Sequence, residues 1–388
     1  MKKLIATIFA IALSLGTFAQ HPVFVSPRID TTNVRNREIL ELWQDYRQKL
    51  FENSFRGQTH DLTVYWAESE LKYEAFDFYR ARFFNLDLLY TYFPTFALKI
   101  DSVGTDIFSL QVMTMRRFTQ TCDVFFPSAL FSVKIIRDST GFRLMNTLTF
   151  NRAKKQTFEL PPIRYYFDRD YPFDTLIAKQ AHQKLIDFAT RYQLSFLDEP
   201  MIYFFVYSRR SQINKDFGFL MHPFSVPSDI VADIGGTQIF ANRMAFFGGP
   251  KAEGNIHEII HILLRQITPT ITLFEEGIAT FYGGSMGKSY EVLRAELIRY
   301  LQAVPEDKLS AVDIFEFMDP NYNRTYTVFA VLVEEAKRRG GEEFVLEILK
   351  SGKSDTEYTF WELASYFFDT EQSEFITFLK TILNIDNK

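Results

Sequence analysis

The chain of 388 residues contains a single cysteine, Cys122, so it cannot form an intramolecular disulfide. A hydrophobic core must therefore stabilise the folded state. The sequence has ample material for one, since 47% of its residues are hydrophobic and 16% are aromatic. Long apolar runs are also scarce. After the first 19 residues, no segment approaches the roughly 18 apolar residues that a membrane-spanning helix needs.

The chain also lacks a strong charge of either sign. It has 43 Lys and Arg residues against 48 Asp and Glu residues, a formal net charge of -5. This balance gives no general attraction to nucleic acid or to anionic membranes, so we expect neither as a partner. Short basic clusters do occur, including Lys337-Arg338-Arg339, and we interpret each as a solvated face.

The first 19 residues have the pattern of a cleavable signal peptide. Met1-Lys2-Lys3 is a basic start, Leu4 to Leu15 is apolar, and Thr17-Phe18-Ala19 is a small-residue cleavage site. We therefore expect cleavage after Ala19 and a secreted or periplasmic protein without an integral membrane span.

Hydrophobic patterning predicts an α+β chain with three parts after the signal peptide. An N-terminal α+β accessory domain would span residues 20–158, a mixed α/β lobe 159–285, and a helical lobe 286–388. Leu160-Pro161-Pro162 marks the first boundary, and helical patterns follow Gly283-Gly284 to the end.

The accessory domain is predicted to begin with a helix at about 33–53 and to continue as a meander. The predicted strands are 95–100, 107–115, 124–136 and 142–150, with a hairpin turn at Asp138-Ser139-Thr140-Gly141. This order of elements resembles a cystatin-like or NTF2-like module.

One motif carries the functional interpretation. His257-Glu258-Ile259-Ile260-His261 is separated by fourteen residues from Glu276. Residues four apart on a helix stand one turn above each other, so both imidazoles reach one metal ion. Two histidines and a carboxylate leave one position open for water, whose pKa zinc lowers to about 7. Glu258 then lies beside the metal and takes a proton from that water.

The flanking residues favour a buried helix for this motif. Gly254-Asn255 offers a stop and an N-cap, and the helix is strongly apolar. Two histidines and a glutamate in such a helix are costly unless something pairs with them, and a metal would do so. An ordinary core helix with hydrogen-bonded histidines is the alternative. Glu275 is the alternative to Glu276 as third ligand.

The second half of the motif reads Glu276-Gly277-Ile278-Ala279-Thr280-Phe281-Tyr282. Together with the HExxH sequence, it resembles the gluzincin metallopeptidases of the peptidase-MA-like families. The resemblance is close over about 250–285 and looser over about 200–340. It implies His257, His261 and Glu276 as zinc ligands and Glu258 as general base, in a gluzincin-type domain with a mixed and a helical lobe. The large aminopeptidases of this clan have a longer gap and a Gly-Ala-Met-Glu-Asn motif, which this chain lacks.

The resemblance also implies a tyrosine that supports the oxyanion, for which Tyr326 is the candidate and Tyr322 and Tyr282 are competitors. It further implies an edge strand that pairs with an extended substrate, for which residues 235–241 are the candidate. His222, in a predicted loop, is a candidate for lining the cleft.

These features predict a secreted zinc-dependent metallopeptidase that holds one Zn²⁺ and acts on a peptide or protein substrate. Two alternatives remain open: a non-catalytic binding protein on a metallopeptidase scaffold, and an amidase acting on cell-wall peptides. The presence of Glu258 argues against the binding protein, because metal binding alone does not need that carboxylate. Two histidines and one glutamate favour zinc over other divalent ions.

Overall fold

The computed structural model describes most of the chain after the predicted signal peptide. The described residues are 23–71, 94–119, 122–194, 202–209, 211–221, 237–240, 243–248, 252–264, 267–268, 272–285, 287–304, 323–351 and 357–385. The predicted signal peptide at 1–19, His222 and Tyr322 lie outside these ranges. Helices and sheets both contribute extensively, so the chain has a mixed α and β fold.

The strands and helices follow one another along the chain. The strands are β1 Val23–Val25, β2 Thr95–Gly104, β3 Ile107–Thr119, β4 Cys122–Asp138, β5 Gly141–Met145, β6 Gln156–Leu160, β7 Ile163–Phe167, β8 Ile202–Val206, β9 Phe219–Met221, β10 Thr237–Phe240 and β11 Arg243–Gly248. The helices are α1 Val34–Phe55, α2 Glu68–Leu71, α3 Thr147–Arg152, α4 Thr175–Arg191, α5 Ser211–Asp216, α6 His257–Leu264, α7 Leu273–Gly283, α8 Tyr290–Ala303, α9 Asn323–Ser351, α10 Glu357–Phe368 and α11 Phe375–Ile382.

The chain divides into two compact units. The first takes its described residues from Met1–Gln156, Tyr166–Arg169 and Tyr207–Arg243. The second takes them from Thr157–Tyr165, Asp170–Val206 and Met244–Lys388. The three functional domains expected from the sequence stay a prediction.

The first unit is built on a six-stranded sheet with the order β1-β2-β3-β4-β5, in which β9 also pairs with β4. Strand β1 is parallel to β2, and the remaining pairs are antiparallel. The predicted hairpin turn joins β4 to β5. Asp138 Oδ1 there accepts a hydrogen bond from the Thr140 backbone N–H at 2.7 Å, which confirms the turn chemistry.

The predicted strand at 142–150 is wrong beyond Met145. Residues Thr147–Arg152 form α3 because tertiary hydrogen bonds hold this segment outside the sheet. Asn146 donates to the buried carboxylate of Glu70, and the Thr147 hydroxyl donates to the Ser132 carbonyl at 2.9 Å.

Helix α1 supplies the core of the first unit, as its sequence pattern predicted. Asn33 caps it, since its side chain accepts a hydrogen bond from the Asn36 backbone N–H. Ile39, Tyr46 and Leu50 recur at helical spacing, and each is at most 1% exposed.

A second sheet has the order β10-β11-β8-β7-β6. Strands β11 and β8 run parallel. Within the described part of the chain, β10 is an edge strand, so the expected strand at 235–241 is present over Thr237–Phe240.

Helices of the second unit pack against the helix that carries the motif. Helix α6 packs against α4 and α7, and α7 also packs against α8 and α9. Helix α9 is broken at Gly340 and Gly341, whose backbone angles are non-helical. Across the residues that the structure describes, no helix is long and apolar enough to cross a membrane.

Candidate metal centre

The HExxH sequence forms the short helix α6, as its flanking residues predicted. The Asn255 side chain accepts a hydrogen bond from the His257 backbone N–H at 3.1 Å and so caps the helix. Ile259, Ile260 and Leu264 are fully buried. His257 and His261 are 8% and 4% exposed, so the helix holds both imidazoles in an apolar setting.

The third ligand candidate stands in the first turn of α7. Thr272 caps this helix, because its hydroxyl accepts a hydrogen bond from the Glu275 backbone N–H at 3.1 Å. A Cβ atom at Gly277 would lie 2.6 Å from the Phe329 backbone. The glycine that follows Glu276 therefore allows α9 to approach α7 directly beside the site.

Three donor atoms from the two helices come together. His257 Nε2 lies 3.3 Å from His261 Nε2 and 3.3 Å from Glu276 Oε2, and His261 Nε2 lies 3.4 Å from Glu276 Oε2. Zinc bonds about 2.0–2.1 Å long at tetrahedral angles place neighbouring ligand atoms about 3.3–3.4 Å apart. The spacing of the three atoms thus fits one face of a zinc coordination tetrahedron, and this buried group is suited to hold a metal ion.

The backbone at the end of α7 orients His257. The His257 Nδ1–H donates to the Gly284 carbonyl oxygen at 2.7 Å, which leaves Nε2 free to bind a metal. Gly283 allows the end of α7 to lie this close to His257, because a Cβ atom at Gly283 would lie 2.6 Å from the His257 backbone nitrogen. From the sequence we predicted this glycine pair only as the boundary before the helical lobe, and its role beside His257 was missed.

Glu275 orients the second histidine. Its Oε1 atom accepts a hydrogen bond from His261 Nδ1 at 2.8 Å, and the residue is 0% exposed. The two neighbouring acids therefore have different positions. Glu276 contributes Oε2 to the group of three donor atoms, whereas Glu275 contacts Nδ1 of His261, the ring nitrogen outside that group. The structure thus groups Glu276, and not Glu275, with the two histidines, and Glu276 as third ligand stays a prediction. Successive helical residues point about 100° apart, so only the rotation of α7 decides between them.

The two acids set the electrostatics of the centre. Burial alone would lower the pKa of His261, but hydrogen bonds to Glu275 and Glu276 outweigh burial and raise the pKa to about 10. Burial would likewise raise the pKa of Glu276, whereas its contacts with His257 and His261 lower it to about 2. The carboxylates of Glu275 and Glu276 thus favour positive charge beside them, which at this centre would be on His261 or on a bound cation.

Glu258 stands beside this group without belonging to it. It is half-buried on α6, and its charge contributes to the raised pKa of His261. The carboxylate thus lies within electrostatic range of His261.

The described tyrosine candidates differ in position. Tyr326 is half-buried on α9, three residues before Phe329, which contacts Gly277 beside Glu276. Residues three apart share one helix face, so Tyr326 lies on the face of α9 directed towards α7. The Tyr282 hydroxyl instead accepts a hydrogen bond from Lys337 Nζ at 2.7 Å and lies 3.0 Å from the Tyr192 hydroxyl.

No protein-family model matches the chain, and a search of curated proteins also finds no match. The functional conclusion therefore depends on the chemistry of the site itself.

Proposed function

We propose that this chain is a secreted zinc-dependent metallohydrolase, and specifically a metallopeptidase. The observation that carries the proposal is the group of His257, His261 and Glu276, whose donor atoms have the mutual distances of zinc ligands. A site that only stabilised the fold would use a fourth protein ligand, whereas the part of the chain that the structure describes offers three, which would leave a position for water or substrate.

Zinc bound there would supply a Lewis acid that polarises a carbonyl group and lowers the pKa of a water molecule to about 7. Glu258 has the role of general base: it accepts a proton from the attacking water and passes it to the leaving amine. Glu275 and the Gly284 carbonyl keep the two imidazoles in one orientation and one tautomer.

Tyr326 is proposed to donate a hydrogen bond to the oxyanion that forms at the scissile carbonyl. Its position on the α9 face directed towards α7 supports this role. One such donor contributes about 100-fold to 1,000-fold to kcat in acyl-transfer enzymes. We also propose that the chain has the gluzincin arrangement, with β10 at the edge of the described five-stranded sheet available for pairing with an extended peptide.

The proposal is tested with the Glu258→Gln variant of the mature protein. Glutamine has the same shape but cannot take a proton, so we expect one zinc ion per chain and a loss of at least about 100-fold in peptide hydrolysis. Glu347→Gln is the matched control, because Glu347 is exposed on α9 and should leave both quantities unchanged. Hydrolysis by Glu258→Gln at the wild-type rate would contradict the mechanism.

The choice of substrate separates peptidase from amidase. We expect the wild-type protein to cleave internal bonds in an unfolded protein such as reduced casein, with products identified by mass spectrometry. Release of fragments from cell-wall peptides alone would make the chain an amidase. Bound zinc without turnover of either substrate would favour the binding-protein alternative.

A further inference from the structure

Helix α9 holds α7 at two places, and each place is next to a residue of the metal centre. The first is the close approach of Phe329 to Gly277, which follows Glu276. The second is the hydrogen bond between Lys337 and Tyr282, which precedes the glycine pair that contacts His257. The two helices are therefore fixed to each other over the whole length that the centre occupies.

The second contact is a polar cluster of four residues. Lys337 Nζ donates to the Tyr282 hydroxyl at 2.7 Å and forms an ion pair with Glu342 at 2.9 Å. The Tyr192 hydroxyl, at the end of α4, lies 3.0 Å from the Tyr282 hydroxyl. We call Tyr192, Tyr282, Lys337 and Glu342 the α7 anchor. It joins the ends of α4 and α7 to both halves of α9.

Lys337 is not the solvated residue that the sequence predicted. Its side chain is 20% exposed, whereas that of its neighbour Arg338 is 70% exposed. Burial alone would lower the pKa of Lys337, but hydrogen bonds to Tyr282 and Glu342 outweigh burial and raise the pKa. The ammonium group is thus held firmly by its partners, and it holds the tyrosine in turn.

Tyr282 of the α7 anchor is two residues before Gly284, whose backbone carbonyl orients His257. Tyr282 is followed by Gly283, which packs on the His257 backbone, and by Gly284, whose carbonyl oxygen accepts the His257 Nδ1 proton at 2.7 Å. The Tyr282 ring also packs edge-on against Phe188 at 5.0 Å between centroids. With the ring and the hydroxyl both fixed, the Gly284 carbonyl has little freedom to move.

We propose that Lys337, acting through Tyr282, is a positioning residue that fixes the orientation of His257 and thereby the affinity of the centre for zinc. This inference rests on the proposed function, because it assumes that His257 is a zinc ligand. Loss of the Lys337 bond leaves the hydroxyl of the half-buried Tyr282 without its charged donor, and the end of α7 can then shift away from His257. Outer partners of zinc-bound histidines typically contribute 10-fold to 100-fold to metal affinity.

The test compares zinc dissociation constants of three single variants of the whole protein, and of the double variant at Lys337 and Tyr282, by competition with a chromophoric chelator. Lys337→Met removes the charge and keeps most of the side-chain volume. Tyr282→Phe removes only the hydroxyl. Arg294→Met is the matched control, because Arg294 pairs with Glu334 at 3.1 Å between α8 and α9 and makes no contact that the inference uses. The hydrogen-bonded Nδ1 proton of His257 is followed by NMR in each zinc-loaded variant.

We expect zinc to bind about tenfold more weakly in Lys337→Met and in Tyr282→Phe, and the double variant to be no weaker than either one, because both changes break the same bond. The His257 Nδ1 proton signal should broaden in these variants and stay sharp in Arg294→Met. Wild-type affinity in Lys337→Met, or equal weakening in Arg294→Met, would overturn the inference and leave the proposed function intact. Failure of the wild-type protein to bind zinc would overturn both.

Discussion

The substitution Glu275→Gln tests whether the buried acid next to the third ligand acts through His261. Glu275 is 0% exposed, and its Oε1 atom lies 2.8 Å from His261 Nδ1. Glutamine fills the same volume and still offers a carbonyl oxygen to the imidazole N–H. The substitution therefore removes the charge of the acceptor while the packing and the hydrogen bond remain.

The expected effect follows from the strength of that hydrogen bond. A charged acceptor makes a bond about twice as strong as a neutral one, and a neutral bond contributes about 1 kcal/mol net. Removal of the charge should thus cost about 1–1.5 kcal/mol of zinc binding, which corresponds to a dissociation constant about tenfold higher. Glu275→Ala also removes the acceptor and should weaken binding by about 100-fold.

Competition titration with a chromophoric chelator measures both constants, and Glu347→Gln is again the matched control. A zinc dissociation constant within twofold of wild type would refute the role assigned to Glu275.

Two further outcomes follow from the structure. Gly277→Ala should lower the free energy of unfolding by about 1–3 kcal/mol in urea denaturation, because its Cβ would lie 2.6 Å from the Phe329 backbone. Gly104→Ala, whose Cβ would lie 3.6 Å from Ile107, should cost less, and equal losses would contradict the close approach. Chelation should lower the Tm of the wild-type protein, since zinc at 1,000 times its dissociation constant stabilises the fold by about 4 kcal/mol. Added zinc should restore the Tm, and a chelator without effect would show that no metal stabilises the fold.

The parts of the fold that follow from local pattern were predictable. Helix α1 has apolar residues at helical spacing and an Asn33 cap, and the β4–β5 turn has its own side-chain hydrogen bond at Asp138. Residues 147–152 were not predictable as a helix. Their conformation depends on bonds to Glu70 and Ser132, which are distant in sequence.

The candidate metal centre was likewise predictable only where it depends on local sequence pattern. The spacing of His257 and His261 is a property of one helix, so the sequence alone places both imidazoles on one side of α6. The positions of Glu275 and Gly284 depend on how α7 packs against α6, which no local pattern encodes. Lys337 was misjudged for a related reason. A basic cluster of three residues gives no sign that one member bonds to a tyrosine on another helix.

The central claim is that His257, His261 and Glu276 form a zinc site, and elemental analysis of the mature protein tests it most directly. The protein is purified without added metal, next to a His257→Ala variant. We predict about one zinc ion per wild-type chain and little in the variant, because two remaining ligands hold zinc poorly. Absence of zinc from both proteins, even after zinc is supplied, would contradict the account.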